Sequence, residues 1–458
     1  MSVGKVVFCI MLLACVWVFG GCTTTGSLYY NNSVGADFSQ DSFETVPAEN
    51  LTPVIFVHGL LGSELWDKSQ QPPEQCWGLF SYGKMASSDF YQKLALPILP
   101  GKNSSRIVAG DILSRSRISL LGISGGIDNY ANVLKMLETI GYRRNNNRLF
   151  VYAYDWRRSI DENAAALALF VQEKRALLES LNRQAGTPEK SVRFDLIGHS
   201  MGGLLVRYYV QYGNAVIGSK KDNLPSVTWA GARNVRKVIM VASPHGGYAD
   251  TILEINRGLK LASLAPVIPG CVLATFPSYY QMLPGMENKA VKISGSGESV
   301  DILDIAVWKK FHWGLLNDDA VTQDFLQKML PDCSVEQRRA AALEYTAGCL
   351  EKAGRFKLLM SRSAGLPPEP VRFYSLASSG MLTNSQLSVD SENGSISVTA
   401  QDIGDGKVAL QSAHPEHIAG ASPVFLHGTI TLDGGHVGLM RGKFFARNLV
   451  HLLQCEAE

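Results

Sequence analysis

"DLIGHSMGGLLVRYY" (195–209) sets one serine, Ser200, at the joint between two patterns. The run 192–198 ("VRFDLIG") is short and apolar and reads as a buried strand; "MGGLLVRYYVQY" (201–212) reads as a helix. Between them Gly198-His199-Ser200-Met201-Gly202 spells G-x-S-x-G in the strand-to-helix context that this motif requires. So tight a turn brings its flanking positions too close for side chains, which explains the glycines. It pushes the Ser200 hydroxyl clear of the sheet, and the helix that follows aims its first amides at any oxyanion formed there. A chance match in a chain with 43 glycines is the alternative. The position at a strand–helix joint argues against it, as does a second signature upstream.

Outward from that joint, strands alternate with helices. "VIFVHG" (54–59), "RLFVYAYDW" (148–156) and "VRKVIMVAS" (235–243) read as strands. Residues 128–142 carry apolar side chains at helical spacing, with Asp128 as a plausible cap. Ser159 and Glu162 have capping-box spacing and open a long helix that closes at Gly186. Such alternation implies a mainly parallel sheet with helices on both faces, an α/β class. No internal repeat is evident.

A serine nucleophile needs an oxyanion hole, a base and an acid. The amide of Met201 is one candidate donor. The amide of Leu60, in the loop "HGLLGSEL" (58–65) after the first strand, is the other. For this motif the acid and then the base follow the serine in the chain. Among nine histidines, His58, His199 and His245 fall before or too near Ser200; His312, His414 and His417 sit in polar loops, and His451 in the last helix. His427, on the strand "VFLHGTI", and His436, in the loop "DGGHVGLM", remain, and placement in a Gly-rich loop favours His436. For the acid, Asp405 in the tight turn Gly404-Asp405-Gly406 is preferred to Asp402, Asp390 and Asp433. A Ca²⁺ loop starting at Asp402 fails, because Ala413 stands where the bidentate Glu belongs.

Composition bounds the rest. The chain has 458 residues, 46% of them hydrophobic and 18% charged, with a net charge of +2. A sizeable core can be buried, and neither the charge nor any basic stripe argues for nucleic acid. Residues 1–22 hold one lysine, an apolar run over 6–19 and then Gly20-Gly21-Cys22. The run is shorter than the about 20 residues of a membrane span and suits a secretory signal. Phe19-Gly20-Gly21-Cys22 resembles a bacterial lipobox, which makes Cys22 the lipid-attachment candidate; an ordinary signal cut near Gly21 is the alternative. The expected organisation is a signal at 1–21, a polar tether at 22–51 and a catalytic domain at 52–455 with insertions around 63–95 and 248–345. The expected location is exported and membrane-anchored, in the periplasm, outer membrane or cell surface. Of the cysteines past the anchor, Cys76, Cys271, Cys333, Cys349 and Cys455, only Cys333 with Cys349 suggests itself as a pair. No C-x-x-C or H-E-x-x-H occurs, so no metal is called for.

Taken together, "PVIFVHGLLGSEL", "AYDWR" (153–157), "LIGHSMGGLLVRYY", "ASPHGG" (242–247), "GDGKVA" and the terminal His loop resemble the lecithin:cholesterol acyltransferase family, from about residue 53 to 453. The Y-D-W-R box is the most specific of these. His58-Gly59 stands where the family commonly has Pro-Gly. The resemblance implies an α/β-hydrolase fold with Ser200, Asp405 and His436 as nucleophile, acid and base, and Leu60 and Met201 as oxyanion donors. It implies no cofactor and a lipid acyl-ester substrate, with a lipid alcohol as a possible acceptor. It also implies a lipid-touching cap around Trp66, Trp77, Phe80 and Tyr82, and a mobile lid over 248–285, for which a buried cap helix is the equal alternative. Asp155, Trp156 and Arg157 read as structural, tying cap to core. The expected function is a serine-dependent lipid acyl-ester hydrolase or O-acyltransferase. An exported triacylglycerol lipase or carboxylesterase, and a non-catalytic lipid-binding lipoprotein, are the alternatives.

Overall fold

The computed structural model describes residues 47–81, 87–99, 107–120, 123–187, 191–218, 224–261, 266–285, 289–415 and 424–454. Cys22, the signal and most of the tether lie outside that set, as do Tyr82, His417 and Cys455.

Six strands form the central sheet in the order Leu426–Leu432, Arg372–Ser378, Val235–Val241, Phe194–His199, Val54–Val57, Leu149–Tyr152. Every neighbouring pair is parallel. Alternate side chains feed opposite faces. Ile55, Val57, Leu196, Val238 and Met240 enter one apolar cluster; Val54, Phe56, Ile197, Ile239 and Val241 enter the other. The inner strands, buried on both faces, read as unbroken apolar runs, which is why they were visible in the sequence; the edge strand Leu426–Leu432 instead alternates with exposed residues.

Register positions the site. Val57 pairs with Gly198, and Val241 pairs with both His199 and Leu376, so these strands end level at their carboxyl edge. The loops that follow them, and that after Leu426–Leu432, open at that edge, where parallel sheets hold their ligands. With the sharp turn at Ser200 described below, this is the α/β-hydrolase fold.

Smaller sheets flank the core. Val291–Ile293, Met381–Val389 and Ile396–Gly404 form one, and its last strand delivers the chain to Asp405. Ser63–Asp67, Glu74–Trp77 and Ile107–Ile112 form another. It is tied to the core through the Y-D-W-R box. Arg157, fully buried, pairs with Asp155 at 2.7 Å and donates to the Leu94 carbonyl, while Trp156 Nε1–H donates to the Ser63 carbonyl.

Several local expectations change. Asp128 ends the strand Ile123–Asp128, and the helix Ala131–Thr139 starts after Tyr130 without a side-chain cap. The helix Ile160–Gln184 has no capping box. Gln281 Oε1 accepts from the Ile160 amide at 2.6 Å, and Ser159 and Glu162 both bind the Lys352 ammonium at 2.8 Å. A distant amide and a distant cation displace the local cap. Cys333 and Cys349 are free thiols, as are Cys76 and Cys271. The apolar stretch 248–285, open between lid and buried cap, is mostly buried here: Ile252, Ile255, Val272, Leu273, Phe276, Tyr279, Tyr280 and Leu283 are all fully buried. Among its described residues, exposure concentrates around the hairpin Leu259–Lys260 and Val267–Ile268, with Val267 exposed. Among the described residues no helix is long and apolar enough to cross a membrane.

Candidate active site

Ser200 sits at φ 54°, ψ −125°, a backbone region that side chains rarely adopt. Its neighbours explain why the turn holds. A Cβ on Gly198 would lie 2.5 Å from the Gly202 carbonyl oxygen, and one on Gly202 would lie 2.4 Å from that of His58. A Cβ on Gly203 would overlap the Ser243 hydroxyl at 1.8 Å. The glycines thus let the first strand, the turn and the helix Met201–Tyr212 close on one another. The Ser200 amide donates to the Val241 carbonyl at 2.7 Å and fixes the turn to the next strand.

Three side chains expected from the sequence meet here. His436 Nε2 lies 2.9 Å from Ser200 Oγ, and His436 Nδ1 lies 2.8 Å from Asp405 Oδ2. Asp405 is reached through the small sheet. Its other oxygen accepts from the amides of Lys407 and Val408 at 2.8 and 2.7 Å, an Asx turn that orients the carboxylate. Burial alone would raise the Asp405 carboxyl, but His436 and those two amides outweigh it and hold the group below the usual carboxylate range. The Lys407 ammonium reaches Glu254 at 2.6 Å and ties this turn to the helix Asp250–Arg257. His436 arrives on the loop after Leu426–Leu432. Gly434 there has φ 133°, and its carbonyl accepts from Ser378 Oγ at 2.6 Å.

The rival residues lie elsewhere. His427 Nδ1 accepts from the Phe373 amide at the edge of the sheet. Asp390 caps a hairpin turn, accepting from the amides of Glu392 and Asn393. Asp402 is exposed on the edge strand Ile396–Gly404, and Asp433 is exposed at the end of Leu426–Leu432.

The loop 58–62 packs against Ser200: a Cβ on Gly59 would lie 2.8 Å from Ser200 Cβ. Several of its polar groups are held by distant side chains. The His58 carbonyl accepts from Tyr154 Oη at 2.8 Å, and the Gly59 amide donates to Tyr130 Oη at 2.9 Å. His58 Nε2 accepts from the Tyr154 amide at 3.2 Å, so Nδ1 carries the proton and donates to the Gly59 carbonyl at 2.7 Å. The Gly62 amide donates to the same carbonyl, and Trp77 Nε1–H donates to that of Leu61, whose φ is 63°. In a trans peptide the N–H opposes the C=O. With the Gly59 carbonyl anchored on one side, the Leu60 N–H projects to the other. Among the described residues no group accepts from the amides of Leu60 or Met201. Both amides lie beside Ser200, Met201 as the next residue in the chain and Leu60 in the loop packed against it.

Burial pulls His58 down to about 4 and His199 to about 3, so both rings are neutral. The sequence offered no signal for the hydrogen bond of Tyr130; Tyr154 stood out only as part of the Y-D-W-R box, and Trp77, expected to touch lipid, is instead buried and holds the Leu61 carbonyl.

Such an arrangement can deprotonate a hydroxyl at Ser200 Oγ and offer unpaired amides to the oxygen of an attacked carbonyl. Among the described residues no cluster of His, Cys, Asp and Glu could hold a metal ion.

Comparison with known proteins agrees with this fold. The family model described as lecithin:cholesterol acyltransferase matches residues 105–376, more than half of the chain; that range contains Ser200 and stops before Asp405 and His436. No curated protein sequence matches. Among solved structures, the Tle4–Tli4 complex is similar at 13% identity over 91% of this chain and 100% of that one, with a TM-score of 0.50. EstA from Clostridium botulinum matches at 13% identity over 91% and 90% of the two chains, TM-score 0.35. The phospholipase PlaB from Legionella pneumophila matches at 14% identity over 89% and 60%, TM-score 0.34.

Proposed function

The chain belongs to the lecithin:cholesterol acyltransferase family, and on that premise we propose that it is a serine-dependent lipid acyl-ester hydrolase or O-acyltransferase working through a covalent acyl-enzyme. The observation that carries the reading is the continuous line from Ser200 Oγ to His436 Nε2 and from His436 Nδ1 to Asp405, at 2.9 and 2.8 Å.

In this mechanism His436 Nε2 takes the Ser200 proton as Oγ attacks the ester carbonyl carbon. The amides of Leu60 and Met201 bind the oxyanion. Asp405 keeps the proton of the neutral ring on Nδ1 and stabilises the imidazolium. Collapse breaks the ester C–O bond, and His436 returns its proton to the leaving alcohol. Water or a lipid hydroxyl, deprotonated by the same histidine, then attacks the acyl-serine; the acyl C–Oγ bond breaks, His436 returns its proton to Ser200 Oγ, and the product leaves. Water at about 55 M wins this partition unless an alcohol is held close, since positioning is worth effective molarities of about 10⁵ M or more. Hydrolysis of phospholipid in dilute micelles, with transfer appearing when a long-chain alcohol, sterol or diacylglycerol shares the interface, is therefore the expected behaviour. The N-terminal pattern supports attachment of the enzyme to a membrane through Cys22.

Ser200→Ala is expected to abolish phospholipid cleavage and labelling by a fluorophosphonate, with a loss of about three orders of magnitude or more; His436→Ala should lose nearly as much and His427→Ala little. Full activity in His436→Ala would overturn this site. Product analysis with a lipid alcohol at saturation decides between transfer and hydrolysis alone. Labelling with palmitate that survives Cys22→Ser would remove the anchor.

A further inference from the structure

Two buried side chains outside the proposed mechanism join the loop that carries Leu60 to the loop that carries His436. Tyr130 Oη accepts from the Gly59 amide at 2.9 Å and lies 3.1 Å from His199 Nδ1. His199 Nε2 lies 3.0 Å from the carbonyl oxygen of His436. A carbonyl only accepts, so Nε2 carries the His199 proton and Nδ1 is bare. The Tyr130 hydroxyl must then donate to Nδ1, leaving an oxygen lone pair for the Gly59 N–H. One orientation satisfies all three bonds: Gly59 N–H to Tyr130, Tyr130 O–H to His199, His199 Nε2–H to His436. The neutral ring that this requires agrees with the burial of His199. Tyr130 packs edge-on against His199, with ring centroids 5.6 Å apart.

We propose that Tyr130 and His199 are positioning residues that couple the oxyanion loop to the backbone of His436, so that the two loops hold their places as one unit. This deepens the reading of Ser200 and His436 as an acyl-transfer site and rests on it. The coupling follows from what each link leaves behind. Without the Tyr130 hydroxyl, two buried groups, the Gly59 N–H and His199 Nδ1, lose their partners together. The Gly59 amide has no other acceptor among the described residues. Gly59 is the residue next to the Leu60 donor, and it lies against Ser200. At the other end, the side chain of His436 is held by Asp405 and Ser200, and its carbonyl by His199. A shift of the loops changes the approach of both oxyanion donor and base, and reacting geometry tolerates little displacement.

The test uses the full chain, a soluble short-chain 4-nitrophenyl ester, fluorophosphonate labelling and thermal melting. Tyr130→Phe and His199→Leu are each expected to lower kcat by about 10- to 100-fold while KM stays within about three-fold. The double variant should fall no further than about the worse single one, because residues acting as a unit are not additive. His199→Gln, whose amide can donate from near the Nε2 position, should recover most of the loss seen in His199→Leu. A Tyr130→Phe enzyme with wild-type kcat, or a double variant whose losses multiply, overturns the coupling. If Tyr130→Phe gives no cooperative melt, the Leu and Gln pair at His199 decides alone: equal kcat in the two overturns the link to His436. Ser200→Ala, run beside them, separates the two readings, since turnover retained there refutes the site itself and not the coupling.

Discussion

Ser200 is held in its strained backbone by what surrounds it rather than by its own preference. The Gly202 position shows how little slack remains. A methyl there meets two carbonyl oxygens, those of His58 at 2.4 Å and Val57 at 2.5 Å, and neither belongs to a flexible side chain. Gly202→Ala must therefore push the first strand and its loop away from the helix. Overpacking of this kind costs about 1–3 kcal/mol, and the displaced residue is the one before Gly59. The expected result is a folded but less stable enzyme whose kcat falls by more than about ten-fold. Unchanged kcat with an unchanged melting temperature would show that the close approach is not needed.

At the scale of elements, ion pairs and caps between distant helices replace local ones. Lys352, on the helix Val335–Ser361, meets Asp161 at 3.1 Å and Glu162 at 2.8 Å, in the first turn of Ile160–Gln184. Asp161 is fully buried and also accepts from Gln281 and from the Ile217 amide. Removing the cation leaves that carboxylate uncompensated, which costs about 3 kcal/mol or more. Lys352→Met should thus lower the melting temperature by several degrees, and adding Glu162→Gln should recover part of the loss. No change in melting would mean that the network contributes nothing net. Gly348, exposed in the same long helix, makes the opposite case. A Cβ there meets nothing within 4 Å, so Gly348→Ala should stabilise by up to about 1 kcal/mol; a lower melting temperature would contradict this.

For the whole molecule, buried neutral histidines set a dependence on pH. Burial holds His58 at about 4, His199 at about 3 and His245 well below its usual value. In the unfolded chain each titrates near ~6.5. Below that pH the unfolded chain binds protons that the folded chain refuses, so stability is full above about 6.5 and is lost as pH falls towards about 4, by roughly 1.4 kcal/mol per pH unit for each histidine. Asp405, whose carboxyl is also depressed, acts with the same sign in a lower window: its contribution is present above about 3.8 and is lost only as pH falls below it. Melting temperature should therefore drop between pH 6.5 and 4.5. His245 contacts the Arg207 guanidinium at 3.3 Å, and His245→Gln should flatten the slope by one proton. A melting temperature constant across that interval would refute the linkage.

Sequence alone determined the parallel α/β layers, the sharp turn at Ser200 and the choice of the three side chains that the fold brings within bonding distance. Each has a local physical cause. Strands buried on both faces are continuous apolar runs, and steric crowding at one turn demands Gly198 and Gly202 within a few residues of Ser200. Asp405 and His436 stand in short Gly-bounded loops that follow strands, which local pattern can mark even though their meeting cannot be read from it. Only the tertiary structure decided the rest. Gln281 caps a helix whose sequence places Ser159 to cap it, because the Gln281 oxygen reaches the Ile160 amide from 121 positions away. The stretch 248–285 is as apolar as a lid would be, yet most of it is covered by other elements, and burial depends on what lies opposite rather than on the segment's own composition. Tyr130 and His199 carry no mark of their role for the same reason: a hydrogen bond across 69 or 237 positions is set by where the packed sheet brings two backbones, and nothing in either neighbourhood records the other.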